Sequence, residues 1–244
     1  GHNGGGVYVG ERLLRSQLLL PFEKAVKSGA ATVMTSYNQV DGIPCTSNKR
    51  LLTDILRGEW GFDGFVYSDL YSIDVIHSLG AACDTAQAAS LALKAGLDMD
   101  LGGDAYGNNL KNELDKGAIS MDDINRAVAN VLRMKFRQGL FENPYVDPKR
   151  ARTTCRSTEH IAIAEQVAEE GVVLLKNDEV LPLSPTLGRI AVIGPNADTP
   201  YNQLGDYTAP QAREAICTVL DGVKAVVSDK TEVVYAKGCA VRDT

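Results

Sequence analysis

The sequence predicts an α/β fold built on parallel strands, and three observations carry that expectation. Apolar strand-like stretches, ATVMTSYN (31–38), GFVYSD (64–69) and LDMDL (97–101), recur with helical patterns between them. A repeat of roughly thirty residues is the rhythm of right-handed βαβ units. Each stretch ends in polar groups, namely Tyr37, Asp69, and Asp98 with Asp100. The composition is globular, with 44% hydrophobic and 23% charged residues among 244, enough for one large domain or two smaller ones.

Taken in order, ERLLRSQLLLPFEKAVKSG (11–29) reads as a helix interrupted at Pro21. The stretch 31–38 follows as a buried strand carrying Val33 and Met34. In NKRLLTDILRGEWG (48–61), Asn48 suits an N-cap, Leu51, Leu52, Ile55 and Leu56 share a helical face, and Gly61 closes the helix. After the strand GFVYSD, the pattern DTAQAASLALKAG (84–96) is a helix capped by Asp84 and ended by Gly96, feeding the strand LDMDL. SMDDINRAVANVLRMKFRQG (120–139) is a final helix, with a capping box from Ser120 and Asp123 and an apolar face of Ile124, Val128, Val131 and Leu132.

The proline-broken, basic stretch FENPYVDPKRARTTCRST (141–158) then interrupts the pattern, which places a linker at 141–156 between a first domain, 1–140, and a second, 157–244. In the second, TEHIAIAEQVAEEG (158–171) reads as a helix, VVLLKN (172–177) as a strand, and RIAVIGPNAD (189–198) as a strand running into a loop. PQAREAICTVLDGV (210–223) reads as a helix and TEVVYAKG (231–238) as a last strand.

Bulk properties exclude several functions. A net charge of −6 without a Lys/Arg cluster argues against a nucleic-acid surface. No apolar run approaches the roughly 18 residues of a membrane span. The cysteines Cys45, Cys83, Cys155, Cys217 and Cys239 form no CxxC pair, and read as buried or incidental thiols. RIAVIGPNAD looks like a strand-turn-helix phosphate site but lacks GxGxxG and GxxxxGK[ST]. The glycine-rich opening GHNGGGVYVG has neither an initiator Met nor a signal-peptide pattern, and reads as the interior of a longer sequence.

The informative residue is Asp69. Asp is unfavourable in strands and seldom buried without a partner, yet here it ends an apolar run. In parallel α/β architectures active groups sit at the C-terminal strand ends, and three such strands in succession fit the active rim of a (β/α)8 barrel. The pattern leaves a second reading open, in which Asp69 caps a helix beginning in SDLYSIDVIH.

VMTSYN, NKRLLTDILRGEWGFDGFVYSD, KAGLDMDL, AEEGVVLLKNDEVLPL and IAVIGPNAD, in this order, resemble glycoside hydrolase family 3, the β-glucosidase and β-xylosidase group, over nearly the whole chain. The resemblance implies the C-terminal part of a (β/α)8-like (TIM) barrel followed by the start of an α/β sandwich domain, as a partial chain lacking the front of the barrel and the end of the second domain. It implies that Asp69, in the Ser-Asp motif, is the nucleophile. A retaining glycosidase needs an ionised carboxylate beneath the anomeric carbon to form a glycosyl ester, with a second carboxyl about 5 Å away as acid then base. By the same resemblance Tyr37 borders the nucleophile and Met34 lies near bound sugar; packing in the rim for Tyr37 and in the core for Met34 are the other readings.

The chain departs from the family pattern in places. Leu70 stands where many members have a Trp for sugar stacking, so either another aromatic such as Tyr67 or Tyr71 contributes or the subsite is shaped differently. The Lys-His pair that holds sugar hydroxyls is absent; His2 looks like part of the segment just after it, while His77 and His160 read as structural. No motif identifies the acid/base, which is expected outside this chain. Glu214 and Glu232 match no family position, and Glu214 reads as solvent-facing on its helix. In QLGDY (203–207), Asp206 or Tyr207 reads either as approaching the aglycone side of a substrate or as plain surface loop.

The expected function is a retaining exo-β-glycosidase removing terminal non-reducing β-D-glucosyl residues. The alternatives are a β-xylosidase or arabinofuranosidase of the same family, or a non-catalytic carbohydrate-binding fragment. No cofactor and no metal is required by this chemistry. The expected partner is an oligosaccharide or glycoside, with a homodimer mate or the remainder of the same protein, and neither nucleic acid nor membrane. Family resemblance favours a secreted or periplasmic location.

Overall fold

The computed structural model describes residues 4–205 and 207–241. These form two compact units that divide between Asp147 and Pro148. Among them no helix is long and apolar enough to cross a membrane.

The first unit contains the strands β1 (Gly6–Val7), β2 (Thr32–Met34), β3 (Gln39–Val40), β4 (Ile43–Pro44) and β5 (Phe65–Tyr67). Strands β2 and β5 run parallel, pairing Thr32 with Phe65, Val33 with Val66 and Met34 with Tyr67. Tyr67 forms a further parallel bridge to Met99, so three extended segments advance side by side in one direction. The ladder requires close backbone approach at its start: a Cβ on Gly64 would stand 2.0 Å from the Ala31 carbonyl oxygen. A small separate sheet, in the order β1–β3–β4, holds the loop after β2.

Helices make up most of the rest of this unit. They are α1 (Glu11–Leu13) and α2 (Leu20–Lys27), separated by a wide turn over Leu14–Leu18, then the wide helix Arg50–Glu59, α3 (Ser72–Ser78), α4 (Thr85–Ala95), α5 (Ala105–Asp115) and α6 (Met121–Arg137). Pro21 sits in the first turn of α2, where its missing N–H costs nothing, so the interruption falls just ahead of it. The Asn48 carboxamide accepts from Leu51 N at 3.1 Å and caps the wide helix. Asp84 caps α4 through Gln87 N, and Ser120 with Asp123 completes a capping box on α6. The core gathers Leu52, Leu56, Phe62, Val66, Ile73 and Ile76 against the alanine face of α4.

Several expectations are corrected. Strand β2 is not buried: Met34 is 47% exposed, because β2 has a strand partner only on the β5 side among the described residues. LDMDL contributes one bridge rather than a strand, because Asp98 turns its carboxylate back onto Val66 N at 2.8 Å. On α6 the buried residues are Ala127, Asn130 and Met134, while Val128 and Leu132 face solvent. The face is set by Asn130, whose amide donates to the buried Asp98 at 3.0 Å. Helix α5 carries no strong apolar period, with only Ala105 and Glu113 buried.

Four of the cysteines are exposed and Cys45 is half-buried; all are free thiols.

The second unit holds α7 (Pro148–Thr154), α8 (Thr158–Glu170), β6 (Arg189–Ile193), α9 (Val219–Val226) and β7 (Glu232–Ala236). Helix α7 thus stands inside the stretch read as linker. Strands β6 and β7 pair in parallel from Arg189–Glu232 to Ile193–Ala236, with α9 between them in sequence, a βαβ unit. VVLLKN forms no strand; it has no ladder partner, and Val172 to Leu175 are exposed. The segment 210–223 becomes helical only from Val219, where Thr218 and Asp221 form a capping box; Pro210 and the turn Arg213–Ala215 precede it.

Candidate active site

Burial alternates along the end of β5. Val66 and Ser68 are fully buried against the helices, whereas Phe65, Tyr67 and Asp69 are half-buried on the other face. The apolar strand therefore anchors one face and leaves the Asp69 carboxylate at the rim.

Asp69 does not cap the following helix. Its Oδ1 accepts from Leu70 N at 2.7 Å, and Tyr71, in the left-handed region at φ 58°, occupies the cap position of α3 without a side-chain bond. The turn is bracketed by its neighbours instead. Ser68 Oγ accepts from Leu101 N at 2.8 Å, Tyr71 N donates to Leu101 O at 3.1 Å, and Ser72 N donates to Asp69 O at 3.0 Å. From the loop after β2, Tyr37 Oη donates to Leu70 O at 2.6 Å.

The structure brings Asp69, Tyr37 and Met34 together around one cleft of about 380 Å³, which Phe22, Val26 and Ser36 also line. A neighbouring cleft of about 360 Å³, walled by Leu14, Phe22, Leu56 and Trp60, carries no carboxylate. Leu70 is half-exposed and rests on Gly102, where a Cβ would come within 2.3 Å of Leu70 Cδ2. Tyr71 is also exposed, while Tyr67 is half-buried in the ladder.

At the opposite end of β5 lies a buried ion pair. Asp98, with its side chain fully enclosed, takes Arg57 Nη2 at 2.5 Å and Val66 N at 2.8 Å on one oxygen and Asn130 on the other. Burial pushes the Asp98 carboxyl up from its ordinary value, opposed by the Val66 N–H and the Arg57 charge. This cluster holds the ladder to the helices, away from the rim.

The other candidates have their own local surroundings. His77 on α3 lies 3.0 Å from the Ala82 carbonyl, and His160 lies on α8. Glu214 is exposed on the single helical turn Arg213–Ala215, and Glu232 is ion-paired with Arg189 at 2.6 Å. Tyr207 is fully exposed, whereas His2 and Asp206 lie outside the described residues. Among the described residues no group of three or more His, Cys, Asp or Glu could hold a metal ion.

The chain matches the model of the glycosyl hydrolase family 3 N terminal domain over residues 1–134 and that of the C-terminal domain over residues 172–241. It belongs to glycosyl hydrolase family 3. Among family-3 relatives, a periplasmic beta-glucosidase of Salmonella typhimurium is 37% identical over 91% of this chain and 30% of its own length. A beta-xylosidase of Formosa agariphila is 37% identical over 99% of this chain and 35% of its own length.

Solved structures agree. The beta-glucosidase from Listeria innocua in complex with glucose superposes with a TM-score of 0.88 at 32% identity, over 96% of this chain and 32% of that one. A beta-glucosidase involved in saponin metabolism from intestinal bacteria superposes with a TM-score of 0.92 at 37% identity, over 98% and 33%. The family-3 chain thus carries part of a (β/α)8-like barrel and part of an α/β sandwich, and spans about a third of the length of these relatives.

Proposed function

We propose that this chain carries the nucleophile of a retaining exo-β-glycosidase, with Asp69 attacking C1 of a terminal β-D-glucosyl residue to form a glycosyl ester. The observation that supports it most is the placement of Asp69: a half-buried carboxylate at the end of an apolar barrel strand, opening onto the cleft it shares with Tyr37 and Met34. The Leu70 N–H donates to Oδ1 and fixes the orientation of the carboxylate at the rim. Tyr37 frames the Asp69 turn and Met34 supplies an apolar wall for the sugar. The general acid/base comes from outside this chain. A secreted or periplasmic location goes with this reading.

The experiment is inactivation of the intact protein by a 2-deoxy-2-fluoro-β-glucoside, followed by peptide mapping. The label is expected on the peptide containing Asp69; a label on any other carboxylate sinks the assignment. β-Xylosidase or arabinofuranosidase activity is the second reading, favoured by the resemblance to a beta-xylosidase over 99% of the chain. Comparing kcat/KM on nitrophenyl β-glucoside, β-xyloside and α-arabinofuranoside separates the two. Sugar binding without turnover on any of them would instead favour a non-catalytic carbohydrate-binding role.

A further inference from the structure

We propose that Thr46 is a positioning residue for Asp69, acting through a buried chain of three hydroxyls; this rests on the reading of Asp69 as nucleophile. Thr46 lies in the short turn Cys45–Ser47, remote in sequence from the rim. Its Oγ1 stands 3.0 Å from Thr35 Oγ1 and 3.0 Å from Ser72 Oγ. Thr35, Thr46 and Ser72 are 4%, 1% and 1% exposed, so water offers none of them a substitute partner.

Each outer hydroxyl belongs to a residue already fastened to the nucleophile turn. Thr35 N donates to Tyr67 O at 2.9 Å, at the end of β5, and Ser72 N donates to Asp69 O at 3.0 Å. Thr46 joins the two side chains, which closes a ring through Thr35, Tyr67, Asp69 and Ser72. A hydroxyl carries one proton and accepts as well, so Thr46 can satisfy both neighbours at once. A methyl in its place leaves two hydroxyls buried without that partner and frees α3 to shift against β2. Neither Thr46 nor Ser72 lines the cleft, so the effect reaches the sugar through the turn that aims Asp69 and through Thr35 and Ser36, which Thr46 Oγ1 bonds at 3.0 and 3.5 Å and which do line it.

A small misplacement of a reacting group costs on the order of 100-fold in rate, while ground-state sugar binding is governed by other contacts. In the intact protein, Thr46→Val is expected to lower kcat, and the rate constant of inactivation by a 2-deoxy-2-fluoro glycoside, about 10- to 100-fold. The dissociation constant for the inactivator should stay within about threefold, and Thr46→Ser should recover most of the rate. A hydroxyl that only stabilises the fold would move the unfolding midpoint and leave kcat of the folded fraction alone. Thr46→Val at wild-type kcat, or Thr46→Ser as slow as Thr46→Val, overturns the proposal.

Should Thr46→Val fail to fold, Ser72→Ala carries the same test: a slowed inactivation step supports the role and an unchanged one overturns it. Asp69→Asn keeps the two claims apart. If it abolishes turnover while Thr46→Val does not, only the role of Thr46 falls. If it leaves turnover intact, the nucleophile reading falls and takes the role of Thr46 with it.

Discussion

The Tyr37 hydroxyl donates to the Leu70 carbonyl at 2.6 Å, fastening the loop after β2 to the peptide that directly follows Asp69. An exposed neutral hydrogen bond contributes only about 1 kcal/mol to stability, so its consequence lies in aim rather than in folding. Tyr37→Phe keeps the ring and removes the tether. It is expected to lower kcat of the intact protein by roughly 10-fold or more while shifting stability by no more than about 1 kcal/mol. Steady-state kinetics beside urea unfolding checks both.

Gly102 stands at φ +72°, and a Cβ there would meet Leu70 Cδ2 at 2.3 Å. Gly102→Ala therefore combines backbone strain with displacement of the side chain next to Asp69, and is expected to destabilise by about 1–3 kcal/mol. Leu70→Ala removes the collision but leaves the strain. A double-mutant cycle in urea should show the pair costing less than the sum of its members.

The Asp98 carboxylate has Arg57, Val66 N–H and Asn130 around it and no solvent. Asp98→Ala strands an Arg and a main-chain N–H in the interior, which costs about 3–5 kcal/mol. Loss of the folded state at moderate urea concentration, followed by circular dichroism, is the expected result. Arg57→Met with Asp98→Leu should be milder than Asp98→Ala alone, because it leaves no buried charge.

In the capping box of α6, Asp123 is held below the usual carboxylate range chiefly by the Ser120 hydroxyl, with the Ser120 N–H adding to it against partial burial. A depressed native value means that this contribution is complete above the unfolded value of about 3.9 and fades as pH falls through the native one. Ser120→Ala is expected to cost about 1 kcal/mol at pH 7 and progressively less below pH 4, measured as unfolding midpoints across pH.

Local chemistry was legible where a residue acts on its own neighbourhood. Asp84, Ser120 and Asn48 cap helices as their spacing says, and Val66 is buried at the centre of the strand predicted around it. Legibility failed where tertiary partners decide. Periodicity chose Val128 and Leu132 for the buried face of α6, but a polar contact between Asn130 and Asp98 turned the helix otherwise. VVLLKN has strand composition without a ladder to join, and Met34 lies exposed on a strand paired on one side. At the rim, Asp69 stood out because a carboxylate ends an apolar run. Thr46 gave no signal, since a threonine in a turn looks the same whether its hydroxyl is solvated or sealed between two others.

The alternation from Phe65 to Asp69 makes counting part of the chemistry. Deleting one residue between Gly64 and Asp69 would exchange the two faces at a stroke, sending the carboxylate toward the helices and a serine toward the cleft. Within this stretch an inserted or lost codon is a heavier lesion than many missense changes.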